Sequence, residues 1–114
     1  MLVSYDVTAL YPSVPQDEAI EIVYQLMKDD PNLAEKTTMS AENLITLFKL
    51  CVGTTYFSFN KKLYQQIDGL AIGASSSGPA ADLFMERLEK RALMTFVEPP
   101  SLWKRYVDLC RILP

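Results

Sequence analysis

The chain has 114 residues, 49% of them hydrophobic and 22% charged, which suits one domain with a packed core and argues against disorder. Its formal net charge of −3 argues against a self-sufficient nucleic-acid binder, and the absence of histidine removes imidazole metal sites and Ser/Cys–His pairs. Carboxylates remain as the plausible metal ligands. No apolar run approaches ~18 residues, and Met1 to Asp6 has neither a basic nor a long apolar signal character. An intracellular protein without a membrane span is therefore expected. Cys51 and Cys110 lie in apolar surroundings without CxxC spacing and read as small buried thiols.

In chain order, Leu2 to Leu10 reads as a short buried strand interrupted by Asp6. Ser13-Val14-Pro15-Gln16 has the form of a capping box, with Ser13 as N-cap and Gln16 at N3. Ala19, Ile20, Val23, Leu26 and Met27 follow at helical spacing, predicting a helix to about Lys28. Asp29 to Met39 reads as a polar loop. A second helix is expected after Ser40, carrying Leu44, Ile45, Leu47, Phe48 and Cys51 inward and stopping at Gly53.

Thr54 to Phe59 and Leu63 to Ile67 are rich in β-branched and aromatic or apolar residues, and Asn60-Lys61-Lys62 suits a hairpin connection. Lys61 and Lys62 read as a solvated hairpin tip. Asp68 to Ser77 is a Gly/Ser-rich loop leading into a third helix, roughly Gly78 to Phe96, with Leu83, Phe84, Leu88, Ala92 and Leu93 on one face. Trp103 to Leu113 reads as one or two strands around Asp108. The sum is an α+β domain with a small antiparallel sheet backed by helices.

Two aspartates stand out. Tyr5-Asp6-Val7 and Tyr106-Val107-Asp108 each place a carboxylate in or at the end of an apolar strand, where an unpaired charge is costly. Such a residue is tolerated when it faces a solvated cleft or binds a metal. Brought together, Asp6 and Asp108 could hold a pair of Mg²⁺ ions, which prefer oxygen ligands and stabilise both oxygens of an in-line phosphoryl displacement. Taken singly, each aspartate is more often a structural strand end or turn residue.

The flanking residues sharpen the pattern. Ser4 to Pro15 (SYDVTALYPSVP) resembles motif A of reverse transcriptases, with an aromatic five positions after the metal-binding aspartate. Gln66 to Ser77 (QIDGLAIGASSS) is similar to motif B, and Arg105-Tyr106-Val107-Asp108 to the start of motif C. Residues Thr55 to Asn60 with Tyr64, Gln66 and Gly69, followed by Leu83 to Glu86, resemble the Penelope-like retroelement group.

The resemblance implies a partial polymerase palm over residues 1–114, acting in RNA-directed DNA synthesis. Asp6 and Asp108 would bind Mg²⁺ or Mn²⁺, with the Val7 carbonyl as a further ligand. Backbone N–H groups of Ala9 and Leu10 would meet the deoxynucleoside triphosphate, and Tyr11 would act as the steric gate beneath its sugar. Gly69 and Gly73 would let the loop approach template and incoming base, as glycine does where backbone meets ligand. Tyr106 would pack near the primer end. The partners implied are an RNA template, a DNA primer and the missing fingers and thumb; without those segments, exposed apolar surface and marginal stability or self-association are expected.

The sequence also departs from the family. Position 109 is Leu where a second aspartate is usual, which supplies no oxygen and shifts the later strand residues by one. Ser75 and Gly78 replace common prolines, and Ile72 stands where many relatives carry glutamine. A catalytically inactive remnant, or a binding or assembly module on the same fold, is the alternative; an unrelated α+β interaction domain is the third reading.

Overall fold

A computed structural model describes residues 2–113. Among them, a three-stranded antiparallel sheet has the order β1-β5-β4, with β1 at Val3–Asp6, β4 at Leu102–Tyr106 and β5 at Leu109–Leu113. A separate antiparallel hairpin joins β2 (Tyr56–Phe59) to β3 (Lys62–Gln65). Five helices lie between: α1 at Leu10–Ser13, α2 at Gln16–Asp29, α3 at Leu33–Lys36, α4 at Ala41–Gly53 and α5 at Ser77–Met94. The architecture is α+β, and no described helix is long and apolar enough to cross a membrane.

The N-terminal strand is shorter than its apolar pattern predicts. It ends at Asp6, and Ala9 takes a left-handed conformation (φ 49°, ψ 57°) that turns the chain directly into the single turn of α1. This costs about 1–2 kcal/mol for a residue with a Cβ. The bond Ser13 N–H to Ala9 O (3.1 Å) closes that turn. The expected capping box therefore does not form: Ser13 ends α1, Pro15 is the N-cap of α2, and Gln16 opens that helix.

The missing cap comes from far along the chain. Asp68 Oδ1 accepts from the Gln16 N–H (3.1 Å) and from the Gly69 N–H (2.8 Å), and these bonds hold its carboxyl below the usual carboxylate range. The Gln16 amide donates to the Gly69 carbonyl (2.9 Å) and to the Val52 carbonyl (3.2 Å) at the end of α4. The Leu70 N–H donates to Tyr11 O (2.7 Å). Around this junction lies the core: Leu10, Val14, Ala19, Val52, Leu70, Ala80, Ala81 and Met85. Leu70 and Val14 are its largest fully buried side chains.

The helical faces are shifted from those predicted. In α4, Ser40 caps the helix by accepting from the Asn43 N–H (3.2 Å), but Ala41, Ile45 and Val52 are the buried residues, while Leu47 and Cys51 are exposed. Cys51 is therefore not the buried thiol expected; Cys110 is. In α5, Ala80, Ala81 and Met85 face the core and Leu88 is half exposed, because the helix starts at Ser77 and its small residues let it approach α1 and α2 closely. The polar loop holds the extra turn α3, and Lys62 joins β3, leaving Asn60 and Lys61 as a two-residue turn with both φ values positive. Such a turn matches the right-handed strand twist.

All strand residues of the β2–β3 hairpin are exposed. With Leu63 at 74% and Ile67 at 90% exposure, apolar surface is left uncovered. The radius of gyration, 16.8 Å, exceeds the roughly 13 Å of a compact domain of this length.

Two outcomes follow for the central junction. A Cβ at Gly69 (φ +77°) would lie 2.4 Å from Pro12 O, whereas one at Gly73 (φ +92°) meets open space. In urea denaturation, Gly69→Ala is expected to cost about 3 kcal/mol or more, and Gly73→Ala only the backbone strain of about 1 kcal/mol. Because the folded-state pKa of Asp68 is depressed, its contribution is full above the ordinary carboxylate range and fades as pH falls through its lowered value. Asp68→Asn should therefore lower the melting temperature at pH 7, and the gap from wild type should close on acidification below about pH 4.

Candidate functional site

Strand pairing brings the main chain at Asp6 close to that at Asp108, from opposite ends of the chain. Asp6 is the last residue of β1 and pairs with Leu109, while the next N–H, that of Val7, donates to the Asp108 carbonyl (2.9 Å). Asp108 is the second residue of the two-residue turn between β4 and β5, since Tyr106 pairs with Leu109. Paired residues share a face, so Asp6, Leu109 and Tyr106 form one row across the sheet. Tyr5, Cys110 and Arg105 form the neighbouring row on the opposite face. Cys110 is buried there, and burial pushes its thiol pKa up, so it is no reactive thiolate.

The turn is strained and braced. Val107 has φ +55°, a left-handed value that glycine usually supplies at the first position of such a turn. For a β-branched residue this costs on the order of 1–3 kcal/mol. Two contacts hold it: the Val7–Asp108 bond on one side, and on the other Arg105 Nη1 donating to Val107 O (3.1 Å).

Arg105 is itself anchored on α5. Its side chain is 10% exposed, bonds Asp82 Oδ1 at 2.8 Å and pairs through Nε with Glu89, which is 15% exposed. Burial alone would lower the guanidinium pKa, but the two carboxylates outweigh it and raise it. The arginine thus bolts the hairpin that carries Asp108 to the long helix. Reading motif by motif passed over this role. The available signal was an arginine inside an apolar run with Asp82 and Glu89 one heptad apart, and so on one face of a helix.

The remaining expected residues separate into two groups. Ala9, Leu10, Tyr11 and Asp108 line one cavity of about 300 Å³, together with Pro12, Ile72 and Val107. Leu10 and Tyr11 also line a second cavity of about 480 Å³ with Gly78, Pro79, Ala81, Asp82, Arg105, Tyr106 and Val107. The Tyr11 hydroxyl would lie 3.5 Å from a Cβ placed at Gly78, so the ring lies against the start of α5. Asp6 is exposed and lines neither cavity. Gly69 is buried against the Pro12 backbone, so its close approach is to the chain's own main chain; Gly73 has open space but lines neither cavity, and its neighbour Ile72 takes that place.

Carboxylates and main-chain carbonyls are the ligands a hard cation takes, its shell being completed with water or phosphate. Among the described residues, no group of three or more Asp, Glu, Cys or His side chains is clustered for metal binding. Leu109 occupies the position between Asp6 and Tyr106 on the open face.

Removing Arg105 leaves Glu89 charged in a mostly buried setting and frees the strained turn. Arg105→Ala is expected to destabilise the fold by about 3 kcal/mol in chemical denaturation, and Glu89→Gln by less, because an uncharged amide can still accept a bond. No known family model matches the chain, and none of the curated proteins matches it significantly.

Proposed function

We propose that the chain is a reverse-transcriptase palm fragment whose Asp6–Asp108 end handles deoxynucleotides, with Mg²⁺ or Mn²⁺ held by the two carboxylates and the Val7 carbonyl. The observation that carries this reading is the bond from Val7 N–H to Asp108 O (2.9 Å), which holds the main chain next to Asp6 against the turn that carries Asp108. Bound there, divalent cations would supply charge stabilisation for phosphoryl transfer from a deoxynucleoside triphosphate to a primer end paired with an RNA template.

The chain's own residues would position the reactants. Ala9, Leu10 and Tyr11 line the cavity that Asp108 also borders. A nucleotide there would rest its sugar against the Tyr11 ring, whose bulk disfavours a 2′-hydroxyl. The left-handed Ala9 turns the following main chain toward that cavity, in keeping with backbone contacts to phosphate. Tyr106, 81% exposed beside Leu109, is left for the primer strand.

A second reading, a palm that keeps its fold and contacts but has lost turnover, is favoured by Leu109. That residue is the strand partner of Asp6, so an oxygen ligand is missing from the row where a third carboxylate would complete the set. The register also specifies the repair. Leu109→Asp puts a carboxylate on the Asp6 face, whereas inserting a residue would turn Cys110 and its successors over unless the turn absorbs it.

Titrating the chain with Mn²⁺ and reading free ion by electron paramagnetic resonance tests both readings. Wild type is expected to bind, Asp6→Asn and Asp108→Asn to lose at least tenfold in affinity, and Leu109→Asp to gain about tenfold, near 1.4 kcal/mol. Joined to fingers and thumb of a reverse transcriptase, extension of a DNA primer on RNA only with Leu109→Asp marks a disabled palm. If no version binds Mn²⁺ or extends a primer, the polymerase reading falls.

A further inference from the structure

The face of the sheet that Arg105 shares with α5 holds a further cavity, of about 300 Å³, where the chain leaves that helix. Val3 and Trp103 pair with the same position of β5, residue 112, so they stand in one row. Tyr5, two residues on from Val3, lies on the same side of the sheet. These three line the cavity from the strands. The rest of the lining is Phe96, Glu98, Pro99 and Pro100, from the segment between α5 and β4.

Three of these side chains are aromatic, and none of their rings stacks on another; the ring contact among the described residues is Phe57 with Tyr64. No cation of the described chain covers them either, the cation–π contact being Lys28 over Tyr24. Tyr5 and Phe96 are 59% and 51% exposed, so both rings are open to a ligand. Glu98 is the one charged residue of the lining; it is exposed and forms no ion pair with a described residue. Consecutive prolines remove two backbone torsions from this wall, which leaves less freedom to lose on binding.

Trp103 is there at a cost. Its Nε1 is buried without a hydrogen-bond partner, a penalty that a phenyl ring or a leucine in its place would avoid. What indole supplies in return is the aromatic face that attracts cations most strongly.

We propose that this cavity binds a quaternary ammonium group, as carried by choline or by a trimethyllysine side chain. Its methyl groups pack against the rings of Tyr5, Phe96 and Trp103, whose π-faces attract the spread positive charge, and Glu98 balances that charge from the rim. Such a group has no N–H to leave unpaired, which suits walls that offer carbon surface and a single carboxylate. The cavity lies on the other face of the sheet from Asp6 and Tyr106, and the proposal does not depend on the polymerase reading.

Trp103 is the chain's single tryptophan, so its fluorescence reports on the cavity directly. Titration of the 114-residue chain with choline is expected to give a saturable change. The uncharged tert-butyl analogue of choline, equal in shape, should bind at least about tenfold more weakly. Phe96→Leu and Tyr5→Leu should each weaken choline binding about fivefold, and Tyr5→Phe should not. Glu98→Gln should cost about threefold, and less in high salt. Phe96, Tyr5 and Glu98 are exposed, so these variants should keep the wild-type melting temperature. Tighter binding of amide-capped trimethyllysine than of choline assigns the cavity to a protein side chain, and the reverse order to a small molecule.

The proposal is overturned if neither ammonium ligand binds by fluorescence or by calorimetry, or if the tert-butyl analogue binds as tightly as choline. It is equally overturned if Phe96→Leu and Tyr5→Leu, folded as judged by melting temperature, leave binding unchanged.

Discussion

The packing of residues 68–70 against residues 11–16 is the constraint on which the fold depends. Leu70 N–H bonds Tyr11 O, Gly69 lies against Pro12, and Asp68 caps the helix that Gln16 opens. The Gln16 amide reaches the Gly69 and Val52 carbonyls and so joins the start of α2 to the end of α4. One junction thus fixes the exit of β1, two helix ends and the approach to α5. Leu70 and Val14, both 1% exposed, fill the space it encloses. A glycine is required because the main chains approach more closely than a Cβ permits and because φ is positive.

From that junction the structure builds outward to an end where stability gives way to geometry. Ala9 and Val107 both hold left-handed conformations, and both line the cavity that contains Tyr11 and Asp108. Strain of this kind persists where surrounding contacts over-determine it, and it gathers at sites that must aim a group. Here the over-determination is visible: Val7 holds one side of the turn, and Arg105, paired with Asp82 and Glu89, holds the other. Arg105 links the sheet to α5 through ion pairs on one face. Lys104 and Arg111, on the other face, form no ion pair among the described residues.

Much of this was legible in the sequence. Periodicity placed α2, α4, α5 and the paired strands close to their observed positions, because an apolar stripe must be buried wherever the helix lies. The two aspartates stand out by their apolar flanks, and the Val7–Asp108 bond brings the main chains that carry them close. Less legible was which face each helix buries. Leu47, Leu88 and Cys51 fit the apolar pattern yet are exposed or half exposed, because close approach between helices favoured small residues such as Ala41, Ala80 and Ala81. The Ser13–Gln16 capping signal failed for a similar reason: a cap from Asp68 and a separate turn at Leu10–Ser13 displaced it.

By itself, then, the sequence determined the α+β class and most element boundaries, since these rest on the local spacing of apolar and polar residues. The tertiary structure decided what each polar group meets. Only the register put Leu109 opposite Asp6 and set Lys104 beside Arg111, and only packing turned Gly69 toward Pro12 and Arg105 toward Glu89. The physical reason is that hydrogen bonds, ion pairs and main-chain contacts act over a few ångströms between residues distant in the chain, and linear spacing carries no record of which of them meet.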